Sequence, residues 1–215
     1  MAGSTGRALS MALLLKFSGL IDWVSNALGK IIMWLVLAAV LISAINAMMR
    51  KAFNIGSNAY LEIQWYLFAG VFMLGAAYVL LHNAHVRIDF IAARLGKRTN
   101  ALIDAIGIVV FLIPLCVILI DLSWPFFMRA YESGEMSENA GGLIRWPVIL
   151  LIPLGFAFLL LQAVSELIKR VAFLTGALPE PFSYGHEKSA EEILIEQQQA
   201  TEATSMEAAG QGPTR

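Results

Sequence analysis

His82, His85 and Asp89 recur at helical spacing, the arrangement by which one helix face offers several ligands to a metal ion. A closed zinc site takes four ligands and often draws on thiolates, and the chain's one cysteine, Cys116, lies far from this trio. A headgroup-level cluster, with Arg87 facing phosphates or a neighbouring loop, accounts better for these residues. Cys116 sits in an apolar run, where it reads as a small filler, and a single cysteine excludes an intramolecular disulfide or a thiolate cluster. The histidines His82, His85 and His186 fall outside the long apolar runs, so a haem held between membrane helices lacks paired ligands. The sequence has no Walker loop and no serine flanked as in a nucleophile elbow. No catalytic, cofactor-binding or metal residue is assigned, no cofactor is expected, and the chain is not expected to be an enzyme.

Other ionisable residues border the apolar runs. Glu62 falls in the first turn of one, where Ser57 or Asn58 can cap a helix and the N-terminal dipole favours a carboxylate. Asp104 takes the matching place after Thr99 and Asn100. Asp121 approaches a helix C-terminus, where negative charge is disfavoured, and therefore requires a cation such as Arg50, Lys51 or Arg129. Glu166 has Lys169 and Arg170 at helical spacing.

The runs themselves are the elements that must position these groups. Of 215 residues, 58% are hydrophobic and 14% charged, against about 45–50% and about 25% in soluble domains. This excludes a soluble globule and, for most of the chain, disorder. A formal net charge of −1 leaves no footprint for nucleic acid as a partner. Crossing the hydrocarbon takes about 20 apolar residues, and four intervals provide them, at about 31–49, 61–81, 101–123 and 146–168. Such long runs suit helices, because lipid cannot satisfy the backbone, and they do not alternate as barrel strands do. The expected fold is all-α: an integral membrane domain of four transmembrane helices over 31–170, after an N-terminal segment (1–30) containing an amphipathic interfacial helix. Lys and Arg concentrate before the first span, in the second connection and after the fourth span, so both termini are predicted to be cytoplasmic.

In the N-terminal segment Leu13, Phe17, Leu20, Ile21, Val24 and Leu28 share one helical face, opposite Ser18, Asp22, Ser25, Asn26 and Lys30, the pattern of a helix lying in the interface among lipids. A signal peptide is the competing reading, weakened by the short run Met11–Leu15 and by Lys16. Residues 171–215, rich in Glu, Gln, Ala and Thr, are expected to form a mobile acidic cytoplasmic tail. Ala39, Ser43 and Ala47 form a small-residue strip for close helix packing, and Ala69, Gly70, Gly75, Ala76 and Ala77 a second low-relief surface, for packing among the four spans themselves. Asn46, beside the first strip, needs a hydrogen bond. Pro114 and Pro153 predict local kinks.

The stretch Glu62-Ile-Gln-Trp65-Tyr-Leu-Phe, then Leu74-Gly75-Ala-Ala77 and His85-Val-Arg87-Ile-Asp89, resembles the small membrane (Q) subunit of TRAP transporters, the tripartite ATP-independent periplasmic transporters. Trp146-Pro147, Ile152-Pro153-Leu-Gly155-Phe156 and Ser165-Glu166 extend the resemblance, which covers about 13–170. It implies a multi-pass protein of the bacterial inner membrane, partnered by a large membrane permease subunit and a periplasmic substrate-binding protein. It also implies ion-gradient-driven uptake of organic acids, with the small subunit as scaffold. Glu62, Trp65, Gly75, His85, Arg87, Asp89, Trp146, Pro147, Pro153 and Gly155 are then the family-motif or subunit-contact residues. Glu62 and Trp65 would lie near the periplasmic face, and Glu132, Glu135 and Glu138 would be offered to the binding protein. The alternative is a self-sufficient small transporter or channel working as an oligomer, which would carry a carboxylate nearer a span centre.

Overall fold

The computed structural model describes residues 2–54, 56–82 and 96–178. Four helices dominate: α1 (Ala2–Phe53), α2 (Asn58–Leu81), α3 (Lys97–Ser133) and α4 (Trp146–Leu174). Each is long and apolar enough to cross a membrane, so the protein is an all-α membrane protein. Residues 171–174 continue α4; the rest of the expected tail beyond Leu178, and the second connection, lie outside the described residues.

α1 is a single helix of 52 residues, about 78 Å at 1.5 Å per residue. The separate N-terminal helix expected from the amphipathic pattern is therefore continuous with the first span. No proline interrupts it, and isolated glycines cost a helix only about 1 kcal/mol each. It stops at Asn54, which takes the left-handed conformation at φ 54°, a role that asparagine tolerates. Ser57 then caps α2, its hydroxyl accepting from the Ala59 N–H at 3.3 Å.

α3 runs well past the expected boundary at Ser123, through Pro125, to Gly134, which ends it at φ 61°. The kink expected at Pro114 takes the form of a π-helical turn at Ile108–Leu112 just before it, closed by the Ile113 N–H on the Ile108 carbonyl. The wider turn relieves the clash of a proline ring with the preceding turn. In α4, Pro147 sits in the first turn, where its missing N–H has no consequence, and Pro153 is buried within the helix.

α4 is the central element, packing against α1, α2 and α3, while α1 also packs along α2. Lipid removes most of the hydrophobic drive between helices, so close backbone approach must supply attraction. Gly155 of α4 provides it, because a Cβ there would stand 2.7 Å from Met73 Cβ and 2.8 Å from the Met73 carbonyl oxygen. Gly29 likewise seats the Tyr78 ring, and Gly70 faces Leu35 and Leu151. Ala39 is buried, but Ala47 of the same strip is exposed. Where α3 meets α4, Phe127, Ala130 and Ile149 form a small core. A ring series runs from Trp124 through Phe127 and Tyr131 to Trp146, the last pair edge-to-face at 5.6 Å.

Candidate functional site

At one end of the bundle the loop 134–145 folds over the start of α2. Its own backbone forms a narrow turn, with the Ser137 N–H on the Leu143 carbonyl and the Arg145 N–H on the Glu135 carbonyl, both 2.9 Å. Glu62, only 4% exposed, holds this turn. Its carboxylate accepts from the Ser137 hydroxyl, from Asn139 Nδ2 at 2.7 Å and from the Leu143 N–H at 2.6 Å. Asn58 Nδ2 donates to the Ala140 carbonyl at 3.2 Å and the Tyr66 hydroxyl to the Ile144 carbonyl at 3.1 Å. Arg145 pairs with Glu135. Glu62 is therefore a clasp within the chain, and its carboxylate does not face outward toward a partner. Of the three acids expected to be offered to the binding protein, Glu132, in the last turn of α3, and Glu138, in the loop, are exposed, whereas Glu135 is held by Arg145.

At the other end, polar groups of three helices meet around α4. Gln162, Ser165, Glu166 and Lys169 line one face at i, i+3, i+4 and i+7, and Ser18, Asp22 and Ser25 of α1 lie against them. Ser18 and Ser165 hydroxyls are 2.6 Å apart, and the Ser25 hydroxyl donates to Gln162 Oε1 at 2.7 Å. Asp22 Oδ1 accepts from the Ser165 hydroxyl at 2.8 Å and from Gln162 Nε2 at 3.0 Å. Lys169 bridges Asp22 and Glu166 at 3.0 and 2.5 Å. Arg170, 1% exposed, spans Glu166 at 2.6 Å and Asp104 of α3 at 3.3 Å. Buried charges persist only when paired and hydrogen-bonded, and here each anion meets a cation from α4.

This arrangement corrects two expectations. Asp104 is not a helix-start residue, since α3 begins at Lys97 and Asp104 reaches across to Arg170. The polar face of the N-terminal segment turns inward onto α4, and Leu13, Phe17, Leu20 and Trp23 are exposed on the opposite side. The expected Glu166 pairing with Lys169 and Arg170 is present, but as part of a network joining α1, α3 and α4. The polar stripe at 162, 165, 166 and 169, which matches that of residues 18–25, is the sequence signal that could have identified this contact and was not read.

The other motif residues scatter over the bundle. Trp65 is 67% exposed, continuing an outer stripe with Leu61, Phe68 and Phe72. Gly75 lies beside Ile32, Gly155 sits at the α2–α4 crossing, and Trp146, Pro147 and Pro153 shape α4. His85, Arg87 and Asp89 lie outside the described residues. His82 points back along its own helix, with Nδ1 3.1 Å from the Tyr78 carbonyl. Among the described residues no group of three His, Cys, Asp or Glu is placed to hold a metal ion.

Asp121 is also placed differently from expectation. It does not approach the end of α3, which continues for about 18 Å beyond it to Ser133. Among the described residues neither Arg50, Lys51 nor Arg129 pairs with it, nor does any hydrogen bond reach its carboxylate. It is exposed, in a shallow depression with Val117, Ile120, Trp124, Pro125 and Leu160. A lone carboxylate within the hydrocarbon costs about 2.5–3.5 kcal/mol at a helix centre on insertion scales. Asn46 likewise has no hydrogen-bond partner among the described residues.

No curated protein matches the chain closely. Residues 39–173, from the middle of α1 to the end of α4, match the family of tripartite ATP-independent periplasmic transporters, DctQ component. With four membrane-length helices in the matched order, the chain belongs to the DctQ family, the small permease component of these transporters.

Proposed function

We propose that this protein is the stationary scaffold subunit of an ion-gradient-driven importer in the bacterial inner membrane, with both termini cytoplasmic. In this reading it braces a large permease subunit, which carries the substrate and moves, while a periplasmic binding protein delivers an organic acid. The observation that carries the reading is how its ionisable groups are used. Asp22, Asp104, Glu166, Lys169 and Arg170 fasten three helices together at one end, and Glu62 fastens the loop 134–145 at the other. A body tied at both ends is suited to standing still. The exposed apolar stripes of α1 and α2 then meet lipid or the partner subunit.

Asp121 favours the second reading, a self-sufficient oligomeric carrier, because it lies inside α3 and not at its end. It faces outward from a shallow depression, however, and not into an enclosed path. Two experiments separate the readings. Gentle extraction of the tagged chain from its native host should bring a larger polytopic protein with it, and reconstituted uptake should require that protein and the binding protein. Reproducible isolation as a lone monomer, or uptake by the purified chain alone, overturns the scaffold reading.

A further inference from the structure

Among the described elements α3 packs in an extended way against α4 alone. Its contacts with α4 include Phe127 and Ala130 with Ile149 toward one end and Asp104 on Arg170 toward the other. Asp121 lies between them, about 14 Å along the axis from Ala130 and about 25 Å from Asp104. Asp121 directly follows the apolar run Ala105–Ile120 of α3, and its neighbour on α4 lies inside the apolar run Trp146–Ser165. The residue of α4 beside Asp121 is Leu160, which offers no hydrogen-bond donor. Pro125, also in the depression, has no N–H and so cannot donate to the Asp121 carbonyl four residues earlier. A carboxylate and a backbone carbonyl, both short of donors, thus belong to one residue, and apolar Val117, Ile120 and Trp124 surround it.

Among the described residues Asp22, Asp104 and Glu166 are matched to cations of α4, and Glu62 to hydrogen-bond donors of the loop 134–145. Asp121 has no such match, and its chemistry specifies what it lacks: a positively charged donor approaching from outside the bundle at membrane depth. We infer that this depression seats a transmembrane helix of the large permease subunit that presents an arginine or lysine to Asp121. Several N–H groups on one cation can serve the carboxylate and the carbonyl together, while Val117, Ile120 and Trp124 pack the flanking turns of the incoming helix. The inference rests on the scaffold reading and assigns α3, near its middle, as a subunit contact.

The test uses the full complex in native membranes. A photo-crosslinking residue at Val117 should capture the large subunit, while one at Phe72, on the outer face of α2, serves as the comparison position. Asp121→Lys should lower the amount of large subunit that copurifies by about tenfold or more, since losing one member of a desolvated interfacial charge pair acts mainly on dissociation. Asp121→Asn should lower it less. Both variants should retain the thermal unfolding of the wild-type chain on its own, because Asp121 makes no contact within it that they would break. Unchanged copurification with Asp121→Lys overturns the inference and leaves the scaffold reading standing, as does crosslinking from Val117 to a second copy of this chain or to lipid alone. Failure of the wild-type chain to copurify with any larger protein overturns both.

Discussion

Gly155→Ala places a methyl group where α4 crosses α2. The added Cβ would meet Met73 Cβ at 2.7 Å and the Met73 carbonyl oxygen at 2.8 Å, against about 3.5–4.0 Å for an ordinary carbon contact. Two of the obstructing atoms are backbone, so a rotamer change cannot relieve them and the helices must part by about 1 Å. A gap of that size forfeits a quarter to a half of each contact's attraction of about 0.1–0.2 kcal/mol. Over roughly twenty atom pairs near the crossing this is about 1 kcal/mol, and residual strain brings overpacking to about 1–3 kcal/mol. Alanine's better helix propensity returns up to about 1 kcal/mol, which makes Gly107→Ala the natural control because nothing lies within 4 Å of its Cβ. Cys116, the single cysteine and fully buried, provides the assay, reacting with a thiol-sensitive fluorophore only as the bundle opens. At about 2–4 °C per kcal/mol, Gly155→Ala should unfold about 2–12 °C below Gly107→Ala, in which the propensity gain is the same, and Gly155→Val lower still. Gly107→Ala should be unchanged or higher. If Gly155→Ala is as stable as Gly107→Ala, the close crossing is wrong.

Arg170→Met should cost about 3–5 kcal/mol by leaving buried Glu166 without one of its cations, and Glu166→Gln in that background should recover part of the loss in the same thermal assay. Ser18→Cys with Ser165→Cys should form a disulfide under mild oxidation, since their hydroxyls are 2.6 Å apart; Ser18→Cys with Ser123→Cys should not. Glu62→Gln puts an amide opposite donors from the loop, and amide exchange at Leu143 should quicken on the order of tenfold while the helices hold; unchanged exchange would remove the clasp. An impermeant maleimide should label Glu138→Cys in intact cells, but label Thr175→Cys only after membranes are opened, if both termini are cytoplasmic.

The length and apolarity of four runs were legible directly, because a helix in lipid must satisfy its backbone within itself and so announces itself as an uninterrupted sequence segment. The signals at its ends were less reliable. Ser57 capped α2 as expected, but α3 passed its apparent end at Ser123. Pro125 did not stop it, and the distant Gly134 did. The polar face of residues 18–25 was equally legible as a face, but not its destination: headgroups and a matching stripe on α4 satisfy the same periodicity. Likewise, Glu62 at a helix start fits a dipole as well as it fits a loop 75 residues away in the chain that offers Ser137 as a donor.

The sequence by itself determined that this is a helical membrane protein, roughly where its spans lie, and which family it resembles, since these depend on composition and local order. Only the tertiary structure decided which charges are consumed internally and which stay open. Pairing depends on distances between residues such as Asp22 and Lys169 that lie 147 positions apart, and no local pattern encodes them. That is why Glu62, prominent in the motif, is a buried clasp, and why Asp121 emerged as an exposed carboxylate in the interior of α3.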